Sequence, residues 1–175
     1  MSTSGIIVSS NTLNNTDYGI YITNSRNNSL MNNTARNNKY GICLYRSSNN
    51  TLEGNVVEEN SQRGIQLVES SGNNLSYNTA RGNRQGIDLT ESSDNNTLKG
   101  NSAYDNMMHG IVIERSAGNV LESNNAVNNA NVGVYIYNST GSNVLESNNA
   151  VNNSLDGIFI FNSSGSLLIN NTARF

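Results

Sequence analysis

The chain predicts an all-β fold of solenoid type, a parallel β-helix of about seven coils, and three observations carry that expectation. A motif returns every 22 to 24 residues. Each return holds three short apolar patches separated by turn residues, rather than one long patch. Asparagine, 37 of 175 residues, falls at fixed offsets within the motif instead of in tracts. A period of this length marks stacked repeats, because one repeat alone cannot bury its apolar face. Asparagine-rich low complexity also occurs in aggregation-prone disorder, but the regular placement of Ile, Leu and Val argues for an ordered array.

The motif is clearest from Gly41 to Gly64, GICLYRSSNNTLEGNVVEENSQRG. Opening glycines stand at Gly19, Gly41, Gly64, Gly86, Gly110, Gly133 and Gly157, with separations of 22, 23, 22, 24, 23 and 24. The first patch, as in Ile20-Tyr21-Ile22 or Ile87-Asp88-Leu89, alternates like a strand with one buried face. A second strand is expected around the leucine of Asn-x-Leu and a third around Asn-x-Ala or Asn-x-Val. Each coil then gives the interior two aliphatics, a leucine and a small residue: Ile42, Leu44, Leu52 and Val57, or Ile111, Ile113, Leu121 and Ala126. Coils in register about 4.8 Å apart would make a rod roughly 35 Å long. No Asn-Gly dipeptide occurs, which removes the strongest hairpin signal.

Two polar series are expected at the bends. Ser25, Ser47, Ser70, Ser92, Ser116, Ser139 and Ser163 each follow their glycine by six residues. Asn33, Asn55, Asn78, Asn101, Asn124, Asn148 and Asn171 each follow a leucine by three. These asparagines are expected to form a structural ladder, each amide bonding its equivalent one coil away. A buried amide without a partner costs about 1–3 kcal/mol, so stacking is what makes it tolerable. The whole of 1–175 reads as a single repeat domain with partial coils at 1–18 and 168–175. Neither end shows an amphipathic capping helix, so the expectation is a piece of a longer solenoid or a unit that stacks on its own copies.

The pattern GI-x-L-x-x-S-x-x-N-x-L-x-x-N-x-A/V-x-x-N resembles the repeats of NosD-type proteins and of archaeal and bacterial surface proteins, over essentially residues 8 to 175. The resemblance implies a right-handed parallel β-helix. It leaves activity open, because related coils serve polysaccharide lyases, epimerases, copper-maturation proteins and surface adhesins. The stretch NVLESNNAVNN at 119–129 returns at 143–153, which looks like a duplicated coil.

The net charge of −3, with acids and bases scattered, gives no basic footprint for nucleic acid. No apolar run approaches a membrane span, and the opening MSTSGIIV lacks a leader's charged and apolar regions. The lone Cys43 excludes an intramolecular disulfide and cannot by itself make a thiolate metal site. Met107-Met108-His109 is the only run of soft donors, and three consecutive residues on a strand cannot all face one ion. Neither a metal nor another cofactor is expected.

Chemistry is therefore sought on outward positions. The first strand presents the rows Tyr21, Cys43, Gln66, Asp88, Val112, Tyr135, Phe159 and Thr23, Tyr45, Val68, Thr90, Glu114, Tyr137, Phe161. Tyr135, Tyr137, Phe159 and Phe161 gather at one end as a candidate binding patch, for a protein partner or for sugar rings. Glu69, Asp88, Glu91 and Glu114 are candidate acids, but no His or Lys is expected beside them, and a solvated ladder with Arg46 facing Glu69 and Glu91 facing Arg115 is the simpler reading. Ten Asn-x-Ser/Thr sequons, at Asn14, Asn27, Asn32, Asn49, Asn74, Asn95, Asn138, Asn152, Asn162 and Asn170, arise either as glycan acceptors or from composition alone.

The function expected is that of a non-catalytic scaffold and interaction module of an extracellular or cell-surface protein, self-associating through open ends or the aromatic patch. The alternatives are a carbohydrate-binding or polysaccharide-processing β-helix module, and a trimmed or designed repeat array. The partners expected are further copies of the chain, as an oligomer or filament, and carbohydrate, with neither nucleic acid nor membrane insertion.

Overall fold

The computed structural model describes residues 4–14 and 17–174. Among them are 23 strands and no helix, and hence no helix long and apolar enough to cross a membrane. The strands form three parallel sheets wound as a β-solenoid of about seven coils. Neighbours within a sheet are always one coil apart.

The seven-strand sheet holds the longest strands: Tyr18–Thr23, Tyr40–Tyr45, Arg63–Val68, Gln85–Thr90, Ile111–Glu114, Val134–Tyr137 and Ile158–Phe161. Each of the other two sheets has eight three-residue strands, one centred on the leucines, as in Thr51–Glu53, the other on the small residues, as in Val56–Glu58. Register is residue for residue, with Ile42 opposite Ile65 and Leu44 opposite Leu67. Inward positions therefore stack on their own kind. Leu30, Leu52, Leu75, Leu98, Leu121 and Leu145 form one fully buried column, and Ala35, Val57, Ala80, Ala103, Ala126 and Ala150 another. The second column must be thin because the coil is closed on that side by glycine. A Cβ on Gly41 would lie 2.6 Å from the Gly64 carbonyl oxygen and 3.1 Å from Val57 Cβ, so only glycine fits there.

Asparagines hold the bends. Asn78 Oδ1 accepts from Asn55 N–H (3.0 Å) and from Asn55 Nδ2 (2.9 Å). Asn78 Nδ2 donates to Leu52 O (2.9 Å) and to Asn101 Oδ1 (3.0 Å). All four hydrogen-bonding capacities of the amide are thus used, and the pattern runs from Asn33 to Asn171. Two more columns do the same work, Asn28–Asn50–Asn73–Asn96–Asn119–Asn143 and Asn38–Asn60–Asn83–Asn106–Asn129–Asn153. The serine column differs from the sequence expectation at one place. Ser93, not Ser92, accepts from Ser70 N–H at 3.1 Å. The coil from Gly86 carries one residue more, absorbed by two successive left-handed residues, Glu91 and Ser92, where neighbouring coils spend one.

A left-handed residue stands immediately before nearly every ladder residue: Asn32 before Asn33, Tyr77 before Asn78, Arg46 before Ser47. Asparagine tolerates this conformation better than most side chains. Most of the sequons fall on that turn, where a left-handed Asn precedes the ladder residue and Ser or Thr comes next, as in Asn27-Asn28-Ser29 and Asn170-Asn171-Thr172, whereas Asn74 begins a strand. The sequon at Asn14 ends outside the described residues.

Candidate functional site

With the interior and bends committed to packing and ladders, side chains vary from coil to coil on the outer faces, and the outer face of the seven-strand sheet is the one that carries the stacked aromatic clusters. It has three zones. Near one end Tyr18 stacks on Tyr21 (4.6 Å between ring centroids) and on Tyr40 (5.0 Å). At the other, Tyr135 lies 5.5 Å from Phe159 and Tyr137 lies 5.8 Å from Phe161, with ring planes inclined by 15° and 13°. Tyr135 and Tyr137 are 5.8 Å apart and Phe159 and Phe161 6.3 Å apart, so the four rings make one continuous platform. Phe159 and Phe161 are exposed, 39% and 53%, while the two tyrosines are half-buried. The platform forms because parallel in-register pairing puts Tyr135 opposite Phe159 and Tyr137 opposite Phe161.

Between the two aromatic zones the outward row closes over. Cys43, Asp88 and Val112 point away from the core, yet are only 4%, 2% and 4% exposed. Outward is therefore not the same as exposed on this face. Arg63 reaches across a coil to place Nε 2.6 Å from Asp88 Oδ2, with Gln66 Nε2 3.4 Å from the same oxygen. Burial pushes the Asp88 carboxyl above its usual range, and Arg63 pulls it back only in part. Burial also pushes the Cys43 thiol up to about 12, which leaves it un-ionised and unreactive.

The candidate acids are dispersed among arginines. Arg46 grips Glu69 through Nε–Oε2 at 2.9 Å and Nη2–Oε1 at 3.3 Å. Arg115 holds Glu91, and Glu114 at 2.9 Å. Glu69, Glu91 and Arg115 also supply left-handed bend residues, a role that alternation alone does not reveal. Asp88, the acid with the most perturbed surroundings, has Arg63 beside it. That neighbour was missed because Arg63 stands just before its glycine, outside the two rows read from the alternation. His109, in the same position before Gly110, is 8% exposed and packs its ring 5.0 Å from Tyr135, extending the platform inward. Burial lowers its pKa.

A family model described as periplasmic copper-binding protein (NosD) matches residues 1–113 and 64–173. No curated protein matches the chain in sequence. Among solved structures, the periplasmic alginate epimerase AlgG superposes with a TM-score of 0.90 at 25% identity, over 97% of this chain and 45% of that one. The A-module of Azotobacter vinelandii mannuronan C-5 epimerase AlgE4 gives 0.78 at 15%, over 97% and 60%. DFA-IIIase from Arthrobacter chlorophenolicus A6 gives 0.62 at 11%, over 95% and 55%. The chain spans a little under half of AlgG, 45%.

The family description raises copper, and the donors do not fit it. Cys43 is buried with its proton held, 3.9 Å from Gln66 Oε1. His109 Nδ1 accepts the Val132 N–H at 3.4 Å, which puts the ring proton on Nε2 and leaves neither nitrogen free to ligate without loss. Met107 is exposed on a turn, and no group of three or more His, Cys, Asp or Glu is placed to hold a metal ion among the described residues. No step is assigned to copper.

Proposed function

The chain belongs to the NosD family of periplasmic copper-binding proteins, and within it we propose that this solenoid works in the cell envelope by binding polysaccharide along the outer face of its seven-strand sheet. The observation that carries the reading is the platform of Tyr135, Tyr137, Phe159 and Phe161, near-parallel rings on a rigid sheet. Flat, partly exposed aromatics in fixed positions suit the apolar faces of sugar rings and lose little side-chain freedom on binding. Support also comes from the likeness to AlgG, whose name declares an alginate epimerase, a likeness that speaks for polysaccharide in general and not for which sugar. The tyrosine cluster lies four strand steps from the platform, counting from Tyr40 to Tyr135, about 19 Å at the usual strand spacing. A linear glycan lying along the coil axis would touch both.

Binding is favoured over processing by the state of the acids. Glu69, Glu91 and Glu114 are ion-paired, and Asp88 is enclosed beside Arg63. A general acid or base must be free to reach the proton it moves, and each of these is held by an arginine. The likeness to epimerases keeps processing as the second reading, separated by looking for altered glycan products. A scaffold that binds no sugar has less support than either.

Affinity electrophoresis through gels cast with soluble polysaccharides tests the proposal. Retardation by at least one of them is expected, lost in Phe159→Ala and Phe161→Ala variants whose denaturation midpoints match the parent. Equal mobility in every gel, or retardation indifferent to both variants, would overturn it.

A further inference from the structure

The charges bordering this face say what kind of polysaccharide suits it. Three arginines reach the face and each is already engaged: Arg46 by Glu69, Arg63 by Asp88, and Arg115 by both Glu91 and Glu114. On the turn before the glycines, the Lys39 ammonium lies 5.7 Å from the centre of the Tyr40 ring, and Arg84 Nη1 donates to Gln62 Oε1 at 3.2 Å. Within the face three guanidiniums meet four carboxylates, while Lys39 and Arg84 at its border have no carboxylate partner among the described residues. The surplus negative charge sits at the platform, where Glu114 pairs in register with Tyr137, and exposed Asp156 precedes the strand of Phe159.

Carboxylate-bearing ligands are ordinarily met by guanidinium forks free to bond them. A polyuronate, with a carboxylate on every sugar, would find the three forks on the face, those of Arg46, Arg63 and Arg115, occupied and would meet like charge beside the rings. An uncharged sugar finds what it needs. Aromatic faces lie flat, and beside them run neutral amides, Asn138 and Asn162, bonded to each other at 2.6 Å with further donors and acceptors to spare.

We infer that the face accepts uncharged polysaccharides and rejects polyuronates, an inference that rests on reading it as a polysaccharide site. The selectivity comes from arginines neutralised in advance by neighbouring coils. It follows that releasing one arginine should admit the acidic ligand.

The test is calorimetric titration of the full chain with hexasaccharides. One set is neutral, the β-1,4-linked gluco-, manno- and xylo-hexamers, and the other acidic, the hexamers of mannuronate and galacturonate, each at low and at physiological salt. The expected result is that one neutral hexamer binds at least about tenfold tighter than either uronate, an affinity ratio worth 1.4 kcal/mol, with little salt dependence. In the double variant Glu91→Gln, Glu114→Gln, which frees Arg115, uronate affinity should rise about tenfold relative to that of the neutral hexamer. Tighter uronate binding by the parent chain, weakening with salt, would overturn the inference and leave the polysaccharide reading standing. No heat with any hexamer would overturn both. An unchanged uronate affinity in the double variant would show that arginine pairing is not what excludes the acid.

Discussion

The bends of this solenoid and the outer face of its seven-strand sheet are built on the same repeat and behave in opposite ways. At the bends the chemistry is constant: Asn78, Asn101 and Asn124 are buried, use the same four bonds, and succeed one another in register. On the outer face the chemistry changes at each step, from Tyr21 through Cys43, Gln66, Asp88 and Val112 to Tyr135 and Phe159. The difference teaches where selection for folding ends. A position whose bonds are made to its own equivalent cannot vary alone, whereas a position facing outward on a rigid sheet can take on whatever a ligand demands.

The comparison can be broken most forcefully at the bends. Replacing Asn101 with Leu removes the acceptor of Asn78 N–H and Nδ2 and the donor to Leu75 O, all buried. Stranded groups of this kind cost about 1–3 kcal/mol each, so a loss of 3 kcal/mol or more in urea denaturation is expected. A loss below 1 kcal/mol would mean that the ladder is dispensable.

A smaller effect sharpens the outer-face half. His109 has a folded pKa below its ordinary 6.5 because of burial beside Tyr135. The unfolded chain therefore takes up the proton first. Its contribution to stability is full above 6.5 and is lost as pH falls through the lower folded value. Midpoints should fall more steeply from neutral to mildly acidic pH in the parent than in His109→Gln, and parallel profiles would contradict the burial argument.

The smallest effect concerns the turn residue before a ladder asparagine. Asp105 has φ 54 and an exposed side chain, and it is followed by Asn106. Asp105→Gly relieves left-handed strain while loosening the unfolded chain, and a net gain of about 0.5 kcal/mol is expected from opposing terms of similar size. A loss of stability would show that this conformation costs little here.

Much of the fold was legible because the repeat is written residue by residue: glycine spacing marked the coils and the leucines marked the second sheet. Other features depended on distance across coils. Ser93 could not be told from Ser92 by counting, since the added residue could enter before or after the ladder serine, and only the hydrogen bond from Ser70 N–H decides. The four platform aromatics were visible as outward positions, and what alternation could not convey was their ring geometry or the part played by His109. Burial of outward Asp88 was invisible for a related reason. It results from Arg63, 25 residues earlier, folding over the strand.

The account stands on the outer aromatic face being the part of the molecule that meets sugar, and the most direct measurement is NMR with labelled Tyr and Phe rings and labelled Asn side-chain amides, during titration with a neutral hexasaccharide that slows the chain in affinity gels. The account predicts that the rings of Tyr135, Tyr137, Phe159 and Phe161 shift together, with the buried amides of Asn78, Asn101 and Asn124 unmoved. Shifts confined to other residues, or rings that stay still while the glycan demonstrably binds, would contradict it.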